Sequence, residues 1–116
     1  MRITAAIALF ALLAVARPAA ADSKTTPTST ITQLSIISKS NPKHRRFHGA
    51  LWLEFDKNQH VYRWGGLYCG GADLSELKVS MLFAAFRSKY SVNIEYKDHL
   101  YKGKRRRCVV GFTISR

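Results

Sequence analysis

Residues 74–96 read LSELKVSMLFAAFRSKYSVNIEY and carry the clearest structural signal in the chain. Residues 74–90 contain no glycine or proline and repeat apolar side chains at helical spacing, whereas residues 91–96 alternate apolar and polar side chains as a β-strand does. Asp73 precedes the helical run and Glu76 follows three residues later, which is the spacing of a capping box. The sequence therefore predicts a helix that begins at Asp73 and is followed at once by a strand.

The predicted helix has apolar side chains on two sides. One apolar stripe consists of Leu74, Leu77, Met81, Ala84 and Ala85, and the other consists of Val79, Leu82, Phe83, Phe86 and Tyr90. A helix on the surface of a small domain needs only one apolar stripe. We therefore expect the helix to pack against other copies of the chain in a homo-oligomer, with a deeply buried helix as the alternative. The side chains predicted to make that contact are Leu77, Met81, Leu82, Phe83 and Phe86.

Short runs rich in β-branched and aromatic residues lie on both sides of the helix and predict five strands. They are residues 30–38, 50–56, 60–69, 91–96 and 108–115. Gly65 and Gly66 interrupt the third run, as expected at the bend of a small barrel. The resulting order, β-β-β-α-β-β, is that of the OB-fold, a mainly β five-stranded barrel with one helix. An α+β sandwich with the same element order is the alternative.

The N-terminal residues 1–21, MRITAAIALFALLAVARPAAA, have the pattern of a secretory signal peptide. Arg2 precedes an apolar run, and small residues at its end form an A-x-A cleavage site. A membrane anchor is the alternative, but a run of about a dozen apolar residues is short for a span of about 20. We expect cleavage before Asp22 and an exported bacterial protein, periplasmic or secreted, with no later membrane span. A polar leader, residues 22–29, then precedes a single domain, residues 30–116.

Composition limits the class of protein. The 116 residues allow one small domain and exclude a large multidomain enzyme, and the 47% of apolar residues excludes a disordered basic tail. The formal charge is +12, and cleavage of the signal peptide removes Arg2 and Arg17 and leaves +10. The mature protein would therefore still be strongly basic.

Most of this charge falls in two predicted loops, residues 40–49 between strands one and two and residues 97–107 between strands four and five. OB-folds bind oligonucleotides and oligosaccharides with these two loops. We therefore expect the loops to converge and to hold a glycan or another polyanion, with solvated loops as the alternative. The candidate ligand-binding residues are Lys43, His44, Arg45, Arg46, His48, Lys102, Lys104, Arg105, Arg106 and Arg107.

Cys69 and Cys108 are the only cysteines. Because an exported chain reaches an oxidising compartment, a disulfide between them is expected. A metal site is the weaker alternative, since there is no CxxC and the histidines lack zinc-site spacing; no metal or cofactor is predicted. Trp52, Tyr62 and Trp64 are candidate aromatic ligand contacts, although such residues more often pack in the core or at a subunit interface.

The mature chain resembles the B subunits of pentameric bacterial A–B toxins of the cholera, pertussis and subtilase-cytotoxin types. The similarity rests on residues 74–96 followed by CVVGFTIS, residues 108–115, which look like the helix, fourth strand and closing strand of such subunits. The resemblance implies an OB-fold protomer in a pentameric ring that binds cell-surface glycans, together with a catalytic A subunit as partner. The sugar pockets of those toxins have no matching residues here, so no pocket residue is transferred.

Two main functional hypotheses follow. The first is a non-enzymatic, oligomeric glycan-binding subunit, and the second is an OB-fold binder of nucleic acid, lipopolysaccharide phosphate or sulfated glycan through the two basic loops. A small nuclease using His44, His48, His60 or His99 is a third, less favoured hypothesis, because none of the usual catalytic motifs is present. An inhibitor or immunity-type protein with an acidic partner is a fourth.

Overall fold

Six β-strands and one α-helix make up residues 23–116, the part of the chain that the computed structural model describes. The strands are β1 Lys24–Thr25, β2 Ser29–Ile36, β3 Gly49–Leu53, β4 Tyr62–Trp64, β5 Ser91–Tyr101 and β6 Lys104–Ser115, and the helix is α1 Glu76–Ser88. The predicted signal peptide, residues 1–21, lies outside the described residues. No helix within residues 23–116 has the length and apolarity needed to cross a membrane.

Five of the strands close into a ring in the order β5-β2-β3-β4-β6, and β6 returns to β5. The β4–β6 pair is parallel and the other pairs are antiparallel. In the chain, the helix lies between β4 and β5, which are the third and fourth of these five strands in sequence order. This arrangement confirms the prediction of a mainly β, OB-like barrel with one helix.

The core of the barrel is filled by the inward-facing side chains of the five ring strands and of the inner face of α1. The largest fully buried side chains are Trp64, Tyr62, Leu51, Leu53, Leu82, Ile94, Val92 and Val109. Gly49 lies against the indole of Trp64, where an added Cβ would come within 2.1 Å of a ring carbon. The glycine therefore makes room for the largest residue of the core.

The short strands before the helix end earlier than the sequence predicted. After Leu53 the chain enters a 3₁₀ turn, Glu54–Asp56, so Phe55 is exposed instead of joining Leu51 and Leu53. After Trp64, Gly65 and Gly66 both have positive φ, and the chain leaves the sheet for another 3₁₀ turn, Leu67–Cys69. Cys69 thus lies in a turn, although it was predicted at the end of a strand.

The segment predicted as a basic loop at residues 97–107 is largely strand. Strands β5 and β6 pair over their whole length, and only Lys102 and Gly103 form the turn between them. The polar leader also differs from expectation. Lys24 and Thr25 pair with β5, and the Thr26 side chain accepts a hydrogen bond from the Ile94 amide at 2.9 Å.

The helix is capped by Ser75, whose side chain accepts a hydrogen bond from the Lys78 amide. The predicted cap, Asp73, is instead bonded to His48. Leu82 and Ala85 face the core, while Leu77, Met81 and Phe83 remain 72%, 44% and 47% exposed. The prediction that Leu82 contacts another copy is therefore wrong, because its own barrel buries it completely. Phe86 is partly buried against the same core. The alternative of a deeply buried helix is wrong as well.

Candidate anion-binding site

A disulfide fixes the segment around which the site is built. Cys69 and Cys108 are bonded, as the sequence predicted, and they join the turn Leu67–Cys69 to strand β6. Tyr68 precedes one cysteine, and Arg106 and Arg107 precede the other. The covalent link therefore holds an aromatic ring beside two arginines.

The two basic segments meet over this turn, as the OB-fold interpretation predicted. The amide of Tyr68 donates to the carbonyl of Arg46 at 2.9 Å, and Nδ1 of His99 donates to the carbonyl of Tyr68, also at 2.9 Å. The segment between β2 and β3, the disulfide-linked turn and strand β5 are thereby joined by hydrogen bonds. Residues that lie far apart in the sequence thus come to one surface.

The first depression on this surface has a volume of about 370 Å³. It is lined by Arg45, Arg46, Leu67, Tyr68, Tyr101, Lys102 and Arg106. Its four cations come from both predicted loops, and no carboxylate lines it. An anion is therefore the ligand that its charge favours.

A second depression of about 190 Å³ adjoins the first, because Arg106 lines both. Its lining consists of Gln59, His60, Val61, Arg63, Arg105, Arg106 and Arg107. We call the two depressions together the basic face. Its seven permanently charged residues are Arg45, Arg46, Arg63, Lys102, Arg105, Arg106 and Arg107.

The rings of Phe47 and Tyr68 hold two of these arginines in place. The guanidinium carbon of Arg106 lies 3.9 Å from the centroid of the Tyr68 ring, and that of Arg63 lies 5.4 Å from Tyr68 and 4.9 Å from Phe47. The Phe47 and Tyr68 rings stack at 5.9 Å. Cation–π contacts of this kind orient a guanidinium group without neutralising its charge.

The arginines of the basic face have no carboxylate partner within the described residues. The ion pairs among the described residues join Lys24 to Asp98, His48 to Asp73 and His60 to Asp56. Burial lowers the pKa of Arg63, and the nearby charge of Arg106 lowers it further. The Nε atoms of Arg63 and Arg106 are buried without a hydrogen-bond partner. Gathering unpaired charges in this way opposes folding, and an anionic ligand would offset that cost.

Some predicted ligand residues lie elsewhere. His44 and His48 stack with ring centroids 3.9 Å apart, and Nδ1 of His48 is 2.8 Å from Asp73. Both line a different depression beside α1. Lys43 and Lys104 are exposed and line neither depression of the basic face.

The structure also assigns the aromatic candidates. Trp64 is 1% exposed and Tyr62 is fully buried, so both belong to the core and neither offers a ring face to a ligand. The hydroxyl of Tyr62 accepts a hydrogen bond from Arg107 at 2.9 Å. Trp52 is half-buried on β3 and lines neither depression.

The residues of the site that the sequence analysis missed include Phe47, Arg63, Tyr68 and Tyr101. Arg63 could have been found, because it alternates with Tyr62 and Trp64 on β4 and must point outward if they point inward. Of the histidines considered for acid–base chemistry, His44 and His48 lie together beside α1, whereas His60 is bonded to Asp56 and His99 to the carbonyl of Tyr68. Within residues 23–116 no cluster of three His, Cys, Asp or Glu side chains could hold a metal ion.

Comparison of the chain with protein-family models, curated proteins and solved structures gives no match. The basic face and the outer surface of the helix are therefore the features from which a function can be inferred.

Proposed function

We propose that the protein is an exported, non-enzymatic binding protein that holds a polyanion on the basic face. The observation that carries the proposal is the convergence of seven Lys and Arg side chains on two adjoining depressions without a carboxylate on either lining. Such a surface attracts sulfated or phosphorylated polymers and releases their counterions on binding.

The construction of the site supports the proposal. The disulfide and the hydrogen bonds of Tyr68 hold the turn at the centre of the basic face, and the aromatic rings orient Arg63 and Arg106 before any ligand arrives. A site that is ordered in advance loses less conformational entropy on binding. Charged loops that merely keep a protein soluble need no such support.

The test compares two double variants that remove the same number of arginines. R45Q/R46Q removes two charges from the basic face, whereas R87Q/R116Q removes one from α1 and one from the C-terminus, at the far end of the β5–β6 hairpin from Lys102. The expected result is heparin affinity that falls steeply with salt and drops about tenfold or more in R45Q/R46Q alone. Equal losses in both variants, or binding that does not respond to salt, would contradict the proposal.

A second candidate function rests on a different surface. Leu77, Met81 and Phe83 are apolar and largely exposed on the outer face of α1. Their exposure supports a homo-oligomer. The resemblance to toxin B subunits implies that this oligomer is a pentamer that binds cell-surface glycans and carries a catalytic A subunit. Several weak glycan sites on one rigid assembly would act together through effective concentration.

Oligomeric mass tests this second candidate. Light scattering on the purified protein is expected to give a multiple of the protomer mass, and L77K/M81K is expected to give the protomer mass with unchanged circular dichroism. A wild-type protomer in solution would remove the ring hypothesis. It would leave the basic face unaffected, because both depressions lie within one chain.

A further inference from the structure

We infer that the basic face is a two-part site for a sulfated polysaccharide, with Arg106 between two successive anionic groups of the ligand. This inference rests on the proposed function and specifies its ligand. Its first basis is that Arg106 lines both depressions, so that they form one continuous surface. Lys102 belongs to the first depression only, and Arg105 belongs to the second only.

The two depressions offer charge on either side of a fixed centre. Arg106 is held over Tyr68 at 3.9 Å, whereas Lys102 is exposed in the turn between β5 and β6 and Arg105 is exposed on β6 next to Arg106. The two depressions, of about 370 Å³ and 190 Å³, are partly open to solvent, so neither fully encloses a small molecule. A chain with anionic groups repeated along it can occupy both depressions, whereas a single phosphate ion can occupy one.

The aromatic rings indicate which polyanion the site favours. Proteins that bind single-stranded nucleic acid stack bases on free aromatic faces, and that stacking supplies much of the affinity. In the basic face, Tyr68 is already covered by Arg106 and contacts Phe47, and Tyr101 packs against Tyr68 at 5.5 Å with the Lys102 ammonium 5.6 Å away. The rings therefore hold the cationic side chains in place, and the site recognises negative charge and not nucleobases. A sulfated polysaccharide supplies that charge without bases.

The experiment measures binding of heparin-derived oligosaccharides to protein expressed from the full-length sequence. The probes are a disaccharide, a hexasaccharide and an oligothymidylate with as many charges as the hexasaccharide. The variants are K102Q, R105Q and R106Q, with R87Q on the outer surface of α1 as the matched arginine control. Lys102 and Arg105 are exposed, so their replacement leaves the core intact.

The expected result has three parts. K102Q and R105Q each weaken hexasaccharide binding about fivefold or more and lower the salt dependence by nearly one ion, whereas R87Q does neither. R106Q weakens binding of the disaccharide as well as of the hexasaccharide, because both depressions lose the charge of Arg106. The hexasaccharide binds more tightly than the oligothymidylate.

Two results would overturn the inference. If R105Q leaves hexasaccharide binding unchanged while R45Q/R46Q weakens it, the second depression is not part of the site, although the proposed function stands. If the oligothymidylate binds more tightly than the hexasaccharide, the ligand class is wrong. Absence of all heparin binding would refute the proposed function itself, and the three failures are therefore distinguishable.

Discussion

Replacing Arg63 by methionine separates the role of this arginine in folding from its role in binding. The guanidinium group is partly buried on β4, and burial together with the charge of Arg106 lowers its pKa. Methionine keeps an unbranched apolar stem against Phe47 and Tyr68 and removes the charge. If the basic face binds a ligand, this change should lower the affinity for that ligand and should lower the free energy of unfolding little or not at all.

The expected stability follows from opposing effects. The variant loses cation–π contacts with Phe47 and Tyr68 that are worth about 1 kcal/mol. The variant also loses the electrostatic repulsion between Arg63 and Arg106, whose guanidinium carbons lie over the same Tyr68 ring. Two charges no more than about 9 Å apart repel by about 2 kcal/mol at an effective dielectric constant of about 20, and salt reduces this. The R63M variant also removes the unpaired Nε of Arg63, a buried donor that costs about 1–3 kcal/mol of stability.

The free energy of unfolding of R63M is therefore expected to equal that of the wild type or to exceed it by up to about 4 kcal/mol, with the upper value at low salt. Urea denaturation at low and high salt measures this, and the gain should shrink as salt rises. Heparin affinity of the same sample should fall about tenfold. A decrease of more than about 2 kcal/mol in the free energy of unfolding, with unchanged heparin affinity, would contradict this prediction. It would show that Arg63 stabilises the fold and does not bind the ligand.

Three further predictions concern the framework of the site. Replacing both Cys69 and Cys108 by alanine opens a loop with a sequence separation of 39 and should lower the free energy of unfolding by about 4 kcal/mol in urea; a loss below about 1 kcal/mol would contradict the chain-entropy argument. Burial raises the pKa of Tyr62, so the native state keeps this proton to higher pH than the unfolded state does. Its contribution to stability should be complete below about pH 10 and fall as pH rises through the raised pKa, and Y62F should show a smaller alkaline loss in urea titrations. G49A places a methyl group on the indole of Trp64 and should lower stability by about 1–3 kcal/mol or more, so an unchanged midpoint of thermal unfolding would disprove that close contact.

The features that the sequence predicted correctly were set by local patterns. The helix at Glu76–Ser88 and the strand that follows it arise from uninterrupted apolar periodicity. The disulfide follows from the presence of two cysteines in a chain expected to be exported. The convergence of the two basic segments follows from the strand order, because the OB-fold places those connections side by side.

The features that the sequence missed depend on contacts between distant segments. Asp73 and Ser75 are both good helix caps, and the choice of Ser75 was decided by the bond between Asp73 and His48, two residues that only the fold brings together. Tyr62 and Trp64 could face either side of a three-residue strand, and their burial decides that Arg63 faces outward. Tyr68 lies after two glycines with positive φ, where strand alternation no longer predicts orientation.

The most direct test of the basic face is a map of ligand contacts by NMR. A heparin hexasaccharide is titrated into isotope-labelled protein, and the amide shifts are followed residue by residue. The largest changes are expected at Arg46, Tyr68 and Arg106, with the amides of Leu77 and Met81 on the outer face of α1 unchanged. Shifts confined to the helix, or spread evenly over the exposed lysines, would contradict this prediction.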